Sequence, residues 1–322
     1  MVQVSTNNKP FRIFLVGNTT LDRKYFKDID KKEEKPGGPI TFTLKWLRKI
    51  LPQAEISIFL SGPEYSINHL EKNEKIHYFL QKDDKISTFK LEYVQDKRNL
   101  FLQYFPTPLD IKIFENVSEP DLIIFCPVYN EISEEFVIKT REKYPDSIIS
   151  FEPQGLLRKR ENNQKIVIKK WLPSDDFLNS IDIIKFSVEE LFEEIYEIIE
   201  KINQCFSILT NGKEGSYLYV NRSQPAMYRH LKSIPMNRPI SDPTGAGDVY
   251  LLGVSVEYLL SNDIDRAMMA GTLLASLHIY DVDPKTVFPN SNNNYVILQS
   301  EIDKFHDKWS NPVERSSFYT KE

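Results

Sequence analysis

Short apolar runs recur along the chain, at Phe11–Val16, Ile56–Leu60, Leu122–Phe125, Ile148–Phe151, Ile183–Phe186 and Phe206–Thr210. Each is too short for a stable helix and is dominated by Ile, Leu, Val and Phe, as strands buried on both faces are. Segments of a different period lie between them. Ile40–Ile50, Ile132–Lys143 and Val188–Ile202 carry apolar residues three and four apart, the spacing of a helix with one buried face. Strand and helix in alternation predict an α/β fold, a three-layer sandwich in which a mostly parallel sheet carries helices on both faces.

One stretch departs from this pattern. Ser87–Val94 alternates, with Phe89, Leu91 and Tyr93 on one face, and Leu100, Leu102 and Tyr104 do the same beyond a charged turn at Asp96–Arg98. That is the signature of an antiparallel hairpin. With the stretch after Leu21 it predicts a small antiparallel β lid, its strands inserted at about 20–35 and 86–105. Such a sheet needs something to cover, either a substrate cleft or a partner subunit. The rest reads as a single domain over 11–310, with a last helix around Tyr295–Trp309 and polar tails at 1–10 and 311–322.

Composition removes several classes of function. A net charge of −5 with no long basic run argues against nucleic acid as a partner. Cys126 and Cys205 sit in apolar runs and read as buried core thiols, with neither disulfide nor metal spacing. Met1–Pro10 is polar and lacks the apolar core of a signal peptide. No apolar run reaches the roughly 18 residues of a membrane span. The expectation is a soluble, cytoplasmic protein that does not bind membranes.

Glycine carries the functional signal because it is scarce. The chain has 11 glycines in 322 residues, where average usage would give about 23. Two of them fall one residue apart between aspartates, in Asp242-Pro243-Thr244-Gly245-Ala246-Gly247-Asp248, and an apolar helical pattern follows at once. A glycine-rich turn opening a helix points unpaired N–H groups at one spot, at the positive end of the helix dipole. That makes an anion hole, and Asp248 at its rim is placed to take a proton from a hydroxyl. Together they suggest phosphoryl transfer to an alcohol. Gly17, Gly155, Gly212 and Gly215 follow presumed strands, the edge at which parallel sheets bind ligands. Gly37-Gly38 precede a helix, and consecutive glycines admit a ligand close to the backbone. Gly62 and Gly253 read as structural.

With these residues in view, the chain resembles the ribokinase-like (PfkB) carbohydrate kinases over nearly its whole length. Asp242–Asp248 is similar to that family's Asp-Thr-x-Gly-Ala-Gly-Asp motif. The phrases Phe125–Ile132 and Glu152–Arg158 look most like an archaeal and plant branch that includes inositol kinases. The resemblance implies Asp248 as catalytic base and Gly245, Ala246 and Gly247 as the anion hole, with Thr244 beside it. Gly37, Gly38 and Asp22 would grip the acceptor. Thr210, Gly212 and Gly215 would lie along ATP, Arg158 would touch its phosphates, and Gly271 belongs to the helix flanking the adenine. Glu190 would hold Mg²⁺ through water. Lid strands often pair between subunits in this family, which implies a homodimer.

The chain also departs from the family pattern. Ser187-Val188-Glu189-Glu190 replaces Asn-x-x-Glu, Pro243 replaces a Thr in the signature, and Thr41-Phe42-Thr43 stand where an Asn is common. Asp281-Val282-Asp283-Pro284 replaces a Gly-Ala loop, so dependence on a monovalent cation stays open. The expected activity is ATP-dependent phosphorylation of a sugar, polyol or inositol. A nucleoside kinase, with Phe42, Phe89, Tyr104 or Tyr129 as a wall for the base, and a non-catalytic metabolite binder on the same fold are the alternatives.

Overall fold

A computed structural model describes residues 9–26, 29–94, 97–190, 199, 202–221, 227–283 and 313–314. The chain begins with β1 (Arg12–Val16), β2 (Thr20–Phe26), β3 (Lys31–Gly37), α1 (Pro39–Ile50), β4 (Glu55–Gly62) and β5 (Ile76–Lys82). It continues through β6 (Ser87–Val94), β7 (Lys97–Tyr104), β8 (Leu122–Phe125), α2 (Glu134–Lys143) and β9 (Ile148–Phe151). Next come α3 (Gln154–Leu157), β10 (Arg158–Arg160), β11 (Ile166–Ile168), α4 (Asp175–Asn179), β12 (Ile183–Ser187) and β13 (Phe206–Thr210). The last elements are β14 (Ser216–Asn221), β15 (Met227–Leu231), α5 (Ala246–Ser261), α6 (Ile264–Ile279) and β16 (Val313–Glu314).

The main sheet has ten strands in the order β16-β15-β14-β13-β12-β9-β8-β1-β4-β5. It is parallel from β13 to β5, and β14, β15 and β16 add an antiparallel edge. All six apolar runs expected to be strands lie in its parallel part. Their continuous apolarity is explained by two cores. Ile13, Leu15, Ile124, Ile183 and Ile208 face α1, α5 and α6, while Phe14, Val16, Ile123, Phe125, Ile184 and Phe186 face the other helical layer. Adjacent residues point to opposite faces of a strand, so a strand covered on both sides shows no polar alternation.

The helices carry local signals that fit their ends. Ser133 Oγ accepts the Phe136 N–H at 3.1 Å and caps α2, which starts two residues later than the periodicity suggests. Pro39 occupies the first turn of α1, and Arg48 and Lys49 its last. Of the expected helix Val188–Ile202, Val188–Glu190 forms a 3₁₀ turn, and residues 191–198, 200 and 201 lie outside the described residues. The expected helix around Tyr295–Trp309 also lies outside them.

The lid is a four-stranded sheet ordered β3-β2-β6-β7. β6–β7 is the antiparallel hairpin expected from the alternation, β2–β3 forms a second one, and the two join through a parallel β2–β6 pairing. The chain leaves the lid to build α1, β4 and β5 and re-enters it from the same end, which makes that pairing parallel. Phe89, Leu91 and Leu102 are buried on one lid face against Val128 of the main body. The β10–β11 hairpin extends the β7 edge, with a Phe101–Lys165 bridge and Leu102 N–H donating to Gln164 O at 2.9 Å. Cys126 is buried as expected, whereas Cys205 is only partly covered. Among the described residues no helix is long and apolar enough to cross a membrane.

Candidate active site

Gly245 caps α5 in the left-handed conformation, at φ 84°. Strain excludes most side chains there, and so does space: a Cβ would stand 2.4 Å from the Phe42 ring. The Ala246 N–H turns inward to Pro243 O at 3.1 Å, and Val249 N–H is the first to bond back into the helix, to Gly245 O at 3.0 Å. Ala246 is therefore removed from the expected set of anion-hole donors, because its N–H is spent closing the turn. Helix geometry leaves the N–H groups of Gly247 and Asp248 without intrahelical partners. They lie at the positive end of a 16-residue helix.

A buried nest of charge lies directly beneath. Lys185, on β12, and Glu152, just after β9, form an ion pair at 2.5 Å with side chains only 1% and 6% exposed. A Cβ on Gly247 would meet Lys185 Nζ at 2.7 Å, so the second signature glycine is there to let the ammonium approach the helix. Asp248 Oδ1 and Glu152 Oε2 are both sealed from solvent without a hydrogen-bond partner. Burial, and then the neighbouring Glu152 carboxylate, push the Asp248 carboxyl well above the ordinary carboxylate range, against Lys185 and Arg158. A base with a raised pKa is better matched to accepting a hydroxyl proton near neutral pH. Burial alone would lower the Lys185 ammonium, but Glu152 more than offsets this and holds it charged.

Arg158 lies at the border between this nest and the lid. It donates to Val128 O at 2.9 Å and Gln154 Oε1 at 2.7 Å, stands 3.7 Å from Glu190 Oε1, and lies over the Phe89 ring. Glu190 is thereby brought to the edge of the nest, its carboxyl raised by burial and pulled back by Arg158. The oxygen donors here, Glu190 and the unpartnered Glu152 Oε2 and Asp248 Oδ1, suit a hard cation such as Mg²⁺. Among the described residues no three His, Cys, Asp or Glu side chains converge as a cage. Mg²⁺ held here would complete its shell with water and donor phosphate oxygens.

On the acceptor side Asp22 and the di-glycine are in contact. Thr20 Oγ1 donates to Asp22 Oδ1 at 2.7 Å, and a Cβ on Gly37 would lie 2.4 Å from Asp22 Oδ2. Gly38, at φ 87°, caps α1, and a Cβ there would press on Asn18 O and Thr20 N at 3.0 Å. Lys24, two residues along β2 from Asp22, stands 4.0 Å from Asp242 Oδ2 and ties the lid to the signature loop.

The expected donor residues divide. Gly212, at φ 47°, faces open space, and a Cβ there would meet no atom within 4 Å. Thr210 ends β13, its hydroxyl donating to Phe186 O at 3.1 Å. Gly215 is needed for a close crossing: a Cβ would meet Leu231 O at 2.1 Å. Thr244 N–H donates to Asp242 Oδ1 at 2.9 Å. Gly271 sits in the contact of α6 with α5, where a Cβ would strike Val254 Cγ2 at 2.7 Å and Tyr250 O at 2.8 Å. Its open side is spent on helix packing, which accounts for the glycine without a ligand. Lys185 and His278 were not singled out from the sequence. Lys185 had a readable signal, a lone lysine inside the apolar run Ile183–Phe186.

No family model matches the chain. It is 22% identical over 289 residues to the nucleoside kinase of Methanocaldococcus jannaschii, covering 82% of this chain and 89% of that one. Ribokinase from Thermotoga maritima superposes with a TM-score of 0.61 at 18% identity, covering 90% of this chain and 99% of that one. The fold is that of ribokinase. A pyrophosphate-dependent kinase in the ribokinase family, solved as a sulfate complex, has the ribokinase fold too and superposes with a TM-score of 0.65 at 18% identity, covering 83% and 95%.

Proposed function

We propose that the protein is a small-molecule kinase that transfers the γ-phosphoryl of ATP to a hydroxyl of a sugar, polyol or inositol. The observation that carries this reading is Asp248: its unpartnered, buried Oδ1 lies on the same helical turn as the free N–H groups at the start of α5. A site that only bound an anion would have no use for a carboxylate there. Asp22 and the Gly37-Gly38 backbone hold the acceptor. Asp248 takes the hydroxyl proton as the oxygen bonds to the γ-phosphorus and the bond to the departing ADP oxygen breaks. The proton ends on the Asp248 carboxyl and the negative charge on ADP. The Gly247 and Asp248 N–H groups face charge on the transferring group, so positioning and electrostatics carry the rate. Mg²⁺, held through water by Glu190, would neutralise donor phosphate charge. The lid excludes water, so that ATP is not hydrolysed.

A nucleoside acceptor is the second reading, favoured by the M. jannaschii relative. Turnover over a panel of inositols, pentoses, hexoses and nucleosides, with ATP and pyrophosphate as donors, separates the two. Asp248→Asn is expected to lower turnover by about 10²–10⁴-fold with donor affinity nearly unchanged. A variant that keeps wild-type turnover removes Asp248 from the chemistry.

A further inference from the structure

The signature turn is gripped from behind by a hydrogen-bond chain. Trp46, fully buried on α1, donates its indole N–H to His278 Nδ1 at 2.9 Å. His278 Nε2, near the end of α6, lies 2.7 Å from Thr244 O. An indole nitrogen can only donate, so Nδ1 carries no proton and the ring N–H must be on Nε2, where it donates to the Thr244 carbonyl. Thr244 is the residue before Gly245. Phe42, one turn before Trp46 on α1, fills the space where a Gly245 Cβ would be and meets the His278 ring edge-on at 5.7 Å. The turn that aims the N–H groups is therefore held by one histidine whose tautomer is set by one tryptophan.

We propose that His278 is a positioning residue for phosphoryl transfer: as a neutral imidazole clamped between Trp46 and Thr244, it fixes the turn that presents the Gly247 and Asp248 N–H groups to the donor. Burial lowers its affinity for a proton and keeps it neutral, as the clamp requires. The helix that carries Trp46 and Phe42 is capped by Gly38, so the acceptor loop and the donor turn share one rigid support. The effect of His278 passes through the backbone of Thr244.

The inference rests on the kinase reading, and the test keeps the two apart. His278→Ala is expected to lower kcat and raise donor KM, each about tenfold, below the 10²–10³-fold typical of deleting an anion-hole donor. Acceptor KM stays at the wild-type value. His278→Gln, which keeps an N–H for Thr244 and an oxygen for Trp46, restores most of both parameters. A purely structural loss would lower the active fraction and leave donor KM alone. Wild-type KM in His278→Ala, or equal defects in the Ala and Gln variants, overturns the proposal. If the wild-type protein turns over no acceptor, the kinase reading fails by itself. Calorimetric titration with pyrophosphate then reads the clamp: binding about tenfold weaker in His278→Ala supports it, and equal binding or none in the wild type overturns it.

Discussion

Lys185→Met would expose how the charge nest sets the proposed base. The substitution keeps most of the length of the side chain and removes its charge, leaving the Glu152 carboxylate buried without its partner. Breaking a buried pair in this way typically costs about 3–5 kcal/mol. At roughly 2 °C per kcal/mol for a chain of this size, the midpoint of thermal unfolding should fall by roughly 6–10 °C. The double variant Lys185→Met/Glu152→Gln removes both charges and should recover most of that loss. Kinetics supplies an independent sign. Asp248 works ionised, so kcat/KM rises with pH as it loses its proton. Lys185 pulls the Asp248 carboxyl down, and Glu152 pushes it up. The acid limb should therefore move to higher pH in Lys185→Met and to lower pH in Glu152→Gln. Calorimetric melting and pH–rate profiles on the same preparations test both. A Lys185→Met melting point within about 1 °C of the wild type, or acid limbs that move in the same direction, refutes the argument.

Two further predictions separate packing from binding. Gly271→Ala forces a methyl against Val254 and Tyr250 and should cost about 1–3 kcal/mol. Donor KM of the folded enzyme should not change, and a raised donor KM at unchanged stability would return Gly271 to the nucleotide site. Asp22→Asn keeps the Thr20 hydrogen bond but removes the charge. Acceptor KM should rise about 10-fold, the scale of a charge-assisted hydrogen bond, with donor KM unchanged. Steady-state kinetics at saturating co-substrate decides between acceptor loss and a general defect.

The fold was legible where the chain states its own period. Ile183–Phe186 and Leu122–Phe125 read as buried strands because two cores demand apolar residues at every position but that of Lys185. β5 was missed because His77, Tyr78 and Gln81 interrupt its apolar character, as befits a sheet edge that is only half covered. The β10–β11 hairpin was missed because each strand is only three residues long, one all basic and the other all apolar, and they find their partner in β7, far back in sequence. Gly245, Gly247 and Asp248 were legible because consecutive residues build that turn, and scarcity made the glycines conspicuous. Gly271 looked alike in sequence, yet its reason is a neighbouring helix that no local pattern reveals.

The same distinction explains the supporting residues. Trp46 and His278 each look like ordinary residues of an apolar helix, and their joint role arises only where α1 and α6 meet behind Thr244. Lys185 on β12 and Glu152 just after β9 come together because β9 and β12 are neighbours in the sheet. Apart from Asp22 on β2, the residues that meet substrate in the proposed mechanism sit on or beside short glycine turns, which a sequence displays directly. Those that hold the turns in place come from elements separated along the chain, and their effect depends on desolvation. Lys185 inside an apolar strand was the one such residue with a local trace, because a cation at a doubly covered position requires a buried anion beside it.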